Sequence, residues 1–335
     1  MQYSMRECAT HRLSQPEHLC YTVSMATVTR LDEALLAYAR YLERRPISDN
    51  TRKAFWGDVN LFARFVMAGG QPARLLASIT SDHIRAFIAH EERRRNANSP
   101  KSVERRLTSV KVFFRWLREC GYIAVDPADS VPYKPLVDPL PEYLTEAQAA
   151  AILHAARQVA AGARSDTRPL AIIHLVLETG IKKSECLRLT RDDLDRDARR
   201  VWIRYDKQHL KFKERQLPIS AECLQALEEH LQRRRPRGRL FDCTGRNLEY
   251  IFNRKIAPPA GLEALTFEML RWTCALRDYR AGAMDEEQLQ YKYGLSPMAW
   301  KEMEAKLARV VRGEGSSTSG LRASGHAASK RQTDD

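Results

Sequence analysis

The stretch "DPADSVPYKPLVDPLPEYL", residues 126–144, carries five prolines and constrains the fold more than any other feature of the chain. Proline has no N–H to donate, holds φ fixed, and drives the preceding residue out of the helical region. No helix or central strand can run through such a stretch, so the chain is expected to fold as two bodies joined by a linker. A length of 335 residues accommodates two domains of ordinary size. The expected layout is a loose leader over 1–28, a first domain over 29–128, a linker over 129–141, a second domain over 142–311 and a low-complexity tail over 312–335.

The first domain reads as four helices. "VTRLDEALLAYARYLERR" (28–45) places Leu31, Leu35, Leu36, Tyr38 and Leu42 on one stripe. "SDNTRKAFWGDVNLFARFVMAGG" (48–70) opens on capping residues, runs Phe55, Val59, Phe62 and Val66 along one face, and ends on paired glycines. "TSDHIRAFIAHEERRR" (80–95) and "SPKSVERRLTSVKVFFRWLRECG" (99–121) repeat the design, the latter with Val103, Leu107, Val110, Phe114 and Leu117 inward. The polar faces hold Arg52, Lys53, Lys101, Arg105, Arg106 and Lys111, several of them near helix starts beside Ser or Thr, a pattern that suits phosphate contacts along a duplex.

The second domain opens at the cap Thr145. "RPLAIIHLVLETG" (168–180) is apolar enough to be its central helix, and "LETGIKKSECLRLTRDDLD" turns at Gly180 into two lysines. A helix N-terminus already favours anions, so Lys182 and Lys183 make this turn a candidate phosphate site. "RRVWIRYDK" and "ERQLPIS" alternate apolar and polar residues and predict a two-stranded hairpin whose tip carries Lys211 and Lys213. "LSPMAWKEMEAKLARVV" has a Ser-Pro start and a stripe of Trp300, Met303, Leu307 and Val310.

Lys and Arg number 55 against 42 Asp and Glu, a net charge of +13 that favours a polyanionic partner, nucleic acid before membrane. The seven cysteines are scattered, with no pair or Cys/His group at zinc-ligand spacing, and read as reduced thiols. No apolar run has the length of a membrane span. The expectation is a cytoplasmic protein, nucleoid-associated in a bacterium or archaeon, with no metal and no cofactor.

The helical block followed by "YLTEAQAAAIL", "TGIKKSECLRLTRDDLD", "KERQLPIS" and "FEMLRWTCALRDY" resembles the tyrosine recombinase/phage integrase family over about residues 30–305. The resemblance implies a mainly α, two-domain clamp: a four-helix, SAM-like core-binding domain and a helical catalytic-type domain with a small antiparallel β-sheet. It also implies a reaction in which a tyrosine attacks a DNA phosphate while cations clamp the developing charge. In this sequence the first arginine position after the Thr-Gly turn is Lys182, followed by Glu185 as a buttress. The hairpin lysine falls on Lys213, with Lys211 as a near alternative. Arg271 matches the second arginine, but Glu268 stands three residues earlier where the family has histidine, and Trp272 follows. The late histidine position is Leu295, and counting on to the tyrosine reaches Glu304. Tyr279, Tyr291 and Tyr293 lie too close to Arg271 to match.

The resemblance therefore implies a duplex-DNA-binding scaffold in which Lys182, Lys213 and Arg271 are remnants of a cleavage site without its nucleophile. Such a chain would serve as an accessory, regulatory or architectural factor in recombination or integration. It would act beside an active recombinase or self-associate through the C-terminal helix 297–311. Two alternatives stand beside it: an active recombinase whose tyrosine is displaced or supplied in trans, and a protein-interaction module that has lost DNA binding.

Overall fold

Local capping signals set the helix boundaries. A computed structural model describes residues 28–68, 75–94, 99–134, 139–162 and 165–313. The expected leader, but for Val28, and most of the expected tail lie outside them. Contacts divide the chain into two units, with the break between Asp138 and Pro139.

The first unit holds α1 (Leu31–Arg44), α2 (Asp49–Ala68), α3 (Ser81–Arg93) and α4 (Pro100–Glu119). Leu36, expected on the inward stripe of α1, is exposed. The hydroxyl of Ser99 accepts the Ser102 N–H, and Pro100 opens α4 with φ already set for a helix. Buried Val103, Leu107, Val110, Phe114 and Leu117 fall at steps of four and three residues, so one stripe of α4 meets the core. There Phe62 stands edge-on to Phe87 and Phe114, with ring centroids 5.4 and 5.7 Å away. Ala128 and Val131 are buried in this cluster and Tyr133 packs on it, so the chain stays on the first unit several residues past Asp126.

In the second unit, α5 (Glu146–Ala161) starts with a reciprocal cap between Thr145 and Gln148. Helix α6 (Arg168–Thr179) is buried on nearly every side, packed by α5, α8 (Ala221–Arg234) and α10 (Phe267–Ala281). It ends at Gly180, whose φ of +60° is the left-handed cap that glycine adopts at little cost. The short α7 (Lys183–Cys186) follows.

The expected two-stranded hairpin is in fact a three-stranded antiparallel sheet, β1 (Leu194–Asp195), β2 (Arg200–Ile203) and β3 (Arg215–Pro218), in that order. The register Leu194↔Val201 and Val201↔Leu217 puts three apolar side chains on the buried face, leaving Arg200 and Trp202 outward. Two residues are too short a run to show alternation, which is why β1 is not visible in the sequence. The β2–β3 connection is a 3₁₀ turn over Gln208–Lys213.

After α9 (Gly245–Ile251) come α10, α11 (Glu286–Tyr293) and α12 (Pro297–Val311). The stripe of α12 is not left open for a neighbouring protomer. Trp300, Met303, Leu307 and Val310 are buried with Tyr143, Cys274, Leu276 and Tyr293 in a cluster of the chain's own second unit. Burying side chains of this size contributes roughly 1.5–3 kcal/mol each, and the cis packing already collects it.

Candidate functional site

The turn between α6 and α7 gathers charged groups that the sequence spreads from Lys182 to Arg271. Glu185 of α7 accepts the Lys182 N–H at 2.8 Å, closing the helix start reciprocally. Its carboxylate is itself held from behind. Arg215 of β3 presents both terminal nitrogens to it, at 2.9 and 3.1 Å, and the Tyr205 hydroxyl donates to the same group. Both partners are almost fully buried, Glu185 at 2% exposure and Arg215 at 3%. Burial alone would raise the Glu185 carboxyl, but the Arg215 fork and the Tyr205 hydroxyl outweigh it and hold its pKa at about 2. Arg215 also donates to the carbonyls of Lys292 and Lys213, at 2.9 and 3.1 Å, tying β3, the hairpin tip and the end of α11 together.

Two glycines close the same node. A Cβ on Gly180 would sit 2.3 Å from Cε1 of Tyr293, and one on Gly294, at φ +57°, would sit 2.8 Å from a terminal nitrogen of Arg215. Neither position has room for a side chain.

On this frame the candidate residues separate. The Lys182 amine donates to the Gly294 carbonyl at 3.3 Å. Burial lowers its pKa to about 8, and the charges of Arg271, Lys213 and Arg215 add to that against the Glu185 carboxylate. Lys182, Lys213 and Arg271 thus share one electrostatic neighbourhood. Arg271 reaches it from α10, its Nε donating to the Gly180 carbonyl at 2.9 Å. Its outer nitrogen is held by Glu268 at 3.1 and 3.4 Å. Lys183 and Lys211 are engaged elsewhere, paired at 2.8 Å with Glu249 and Glu214 respectively. Leu295 lines a cleft of about 170 Å³ with Arg271, Trp272, Ala299, Glu302, Met303 and Lys306. Glu304 is not among the residues lining it and is partly buried on α12.

The three tyrosines near the site differ in their surroundings. Tyr293 is fully buried and donates to Asp278 and, at 3.3 Å, to the Cys274 sulfur. Burial first, then the Cys274 and Asp278 charges, push its phenol well above the ordinary range. Tyr291 is 53% exposed, but its oxygen accepts the Gln216 N–H at 3.0 Å. Tyr279 packs against the α12 cluster.

In the first unit the basic residues differ in their surroundings. Arg105 and Arg106 both turn toward Asp58, and Arg106 also pairs with Glu91. Asp58 and Glu91 are buried, and the Arg106 side chain is only 13% exposed, so this pairing belongs to the core. Burial raises the Asp58 carboxyl, and Ser109 and the two arginines offset only part of that. Arg52 donates to the Leu42 carbonyl and pairs with Asp49 at 3.0 Å. Lys111 lies 5.1 Å above the Tyr133 ring, and Lys53 and Lys101 are exposed. Arg215, Tyr205 and Asp278 carry much of the site's geometry and escape a reading of the sequence, because each finds its partner only through the fold.

The four-helix first unit and the helical second unit with its three-stranded sheet define a tyrosine recombinase/integrase type of fold. Residues 35–121 match the phage integrase N-terminal SAM-like domain and residues 142–296 match the phage integrase family proper. The chain belongs to the phage integrase family. A tyrosine recombinase XerC from Roseiflexus sp. (strain RS-1) is 28% identical over 268 residues, covering 76% of this chain and 82% of that protein. A XerC from Mycobacterium sp. (strain JLS) is 32% identical over 210 residues, covering 62% and 67%. Among solved structures, a lambda integrase dimer bound to a COC′ core site superposes with a TM-score of 0.65 at 16% identity, covering 88% of this chain and 81% of that one. The Tn1549 transposon integrase in complex with a circular intermediate DNA gives 0.64 at 19%, covering 85% and 99%. At such identities the two structures speak for the fold alone, which they share with this chain. No group of His, Cys, Asp and Glu suited to a metal ion occurs among the described residues, and none of their helices is long and apolar enough to cross a membrane.

Proposed function

We propose that this chain binds duplex DNA and does not cut it by the tyrosine route, acting as an accessory, regulatory or architectural factor in recombination or integration. The observation that carries the reading is the mismatch between clamp and nucleophile. Lys182, Lys213 and Arg271 share one turn, where cations would meet a phosphate, while Tyr293, the tyrosine nearest in sequence to position 304, is sealed against Asp278 and position 304 itself holds a carboxylate. A carboxylate is a poor substitute for a phenol in that step, because its product with phosphate is a mixed anhydride, far more prone to hydrolysis than the aryl ester a tyrosine forms. Lysine in place of the first arginine keeps the charge but loses the two-pronged fork, which suits holding a phosphate more than stabilising a transition state. DNA contacts in the first unit are proposed for Arg52, Lys53, Lys101, Arg105 and Lys111, with Arg106 as their buried support.

The test begins with capture of fragmented genomic DNA on the purified chain, followed by incubation with nicked copies of the captured fragments. Retention on the fragments with no adduct surviving denaturation is the expected result. A denaturation-resistant adduct that disappears with Tyr291→Phe would establish an active recombinase instead. One observation favours a different reading, a protein-interaction module: Glu268 occupies the outer nitrogen of Arg271, where a phosphate would have to bind. Failure to retain duplex DNA even at low salt would move the assignment there.

A further inference from the structure

The end of α8 carries a feature that the Lys182 site does not use. Residues 233–239 read Arg-Arg-Arg-Pro-Arg-Gly-Arg. Arg233 is anchored, donating to the Ala160 carbonyl and the Ser165 hydroxyl and pairing with Glu229 at 2.8 Å. Arg234, Arg235, Arg237 and Arg239 are all exposed, and none of them is paired with a carboxylate among the described residues. The nearest acid along the chain, Asp242, is exposed three residues beyond Arg239.

The backbone under these side chains is fixed rather than loose. Arg235 caps α8 in the left-handed region at φ +46°, a conformation that glycine or asparagine adopts more readily. Pro236 follows it, Arg239 bridges to Thr190, and the Leu240 N–H is held by the Leu189 carbonyl. Phe241 and His230, both buried, stack directly beneath with ring centroids 5.3 Å apart. A strained arginine between anchored neighbours presents guanidinium groups on a rigid ridge, and arginine forks suit phosphate oxygens.

The ridge also lies at the opposite end of the second unit's central helix from the Lys182 turn. Ser220, which starts α8, bonds to Glu178 at the C-terminal end of α6, whereas His230 bonds to Thr167 at its N-terminal end. The two helices are therefore antiparallel, and the last turn of α8 lies a helix length from Gly180. Twelve residues of α6 span about 18 Å.

We propose that Arg234, Arg235, Arg237 and Arg239 form a second nucleic-acid site that takes the phosphate backbone of a separate DNA duplex, so that one chain bridges two duplexes. The inference rests on the DNA-binding reading above and gives the architectural role a physical means. Contacts of this kind neutralise phosphates without reading bases, so the second duplex is held irrespective of sequence and strongly according to salt.

The experiment tethers one captured duplex to beads, saturates it with the full chain, and measures retention of a second, fluorescent duplex of unrelated sequence. Retention by the native chain is expected, with a log–log salt slope of about 3 to 4 if all four arginines contact phosphates. Changing the four to glutamine should lower the retention at least tenfold while leaving the tethered duplex bound, and changing them to lysine should keep most of it. If the native chain fails to bind the first duplex, the DNA-binding reading itself fails. If it binds the first but never the second, or if the glutamine variant bridges as well as the native chain, the ridge is not a second site. Retention of a fluorescent polyglutamate in place of the second duplex would equally overturn the assignment, naming an acidic protein surface as the partner.

Discussion

Replacing Glu185 with glutamine tests whether the site is held by its buried ion pair. The carboxylate accepts from Arg215, Tyr205 and the Lys182 backbone, and both charged partners are almost wholly out of water. Two routes give the size of the effect. A carboxyl held at about 2 against an ordinary 4.5 contributes stability that is present above pH 4.5 and lost as pH falls toward 2. That gap corresponds to on the order of 3 kcal/mol. Independently, removing one partner of a buried pair strands the other charge, which costs about 3–5 kcal/mol. Urea unfolding at pH 7, followed by tryptophan fluorescence, should place Glu185→Gln about 3 kcal/mol or more below the native chain. Between pH 4.5 and 2.5 the native chain should lose stability faster than the variant, so the two converge as the medium becomes acid. The double change Glu185→Leu with Arg215→Met should recover most of the loss, since well-packed apolar groups can replace a buried pair at little cost. A single-variant loss below about 1 kcal/mol at pH 7, the size expected of an exposed pair, or an unchanged acid slope, would refute the claim that this pair holds the turn.

Three further outcomes follow from the geometry. Gly180→Ala would press a Cβ to 2.3 Å from the immovable Tyr293 ring at φ +60°, and thermal unfolding should show a loss of about 2–4 kcal/mol. The Lys182 amine, held at about 8, binds phosphate only when protonated, so duplex affinity measured by anisotropy should fall as pH rises above that value. The decline should reach about tenfold and be absent in Lys182→Arg. Asp58→Ala should destabilise the first unit by about 2–3 kcal/mol in chemical unfolding, because Ser109 and the inward-turned Arg106 lose their shared acceptor.

The four helices of the first unit were legible because their signals are local. Ser99-Pro100, the spacing of Val103 to Leu117, and Thr80 ahead of Ser81 all act within a turn or two of the residues they organise. Glu185 was legible as a buttress through the family resemblance, and its bond to the Lys182 N–H spans only three residues. Arg215 could not, because in the run Lys-Glu-Arg-Gln it has the look of a solvated hairpin residue and its partner lies thirty residues away. Arg106 hid likewise, its two acids sitting on α2 and α3. An exposed guanidinium and a buried, paired one have the same local sequence, and only the tertiary register separates them. The stripe on α12 was legible as apolar, but nothing in it says whether its cover comes from the same chain or another.

The reciprocal wedge at Gly180 and Gly294 bears on how such a protein can change over generations. Tyr293 fills the space beside one glycine and Arg215 the space beside the other, so the backbone of the turn is kept in place by groups that do no chemistry. Lys182 touches that wedge through the Gly294 carbonyl, whereas the side chains at 268, 272, 295 and 304 take no part in it. A lineage can therefore exchange them one at a time while the shape persists. A protein engineer altering the site would begin from a mould already cast, with the new side chains as the only parts to supply.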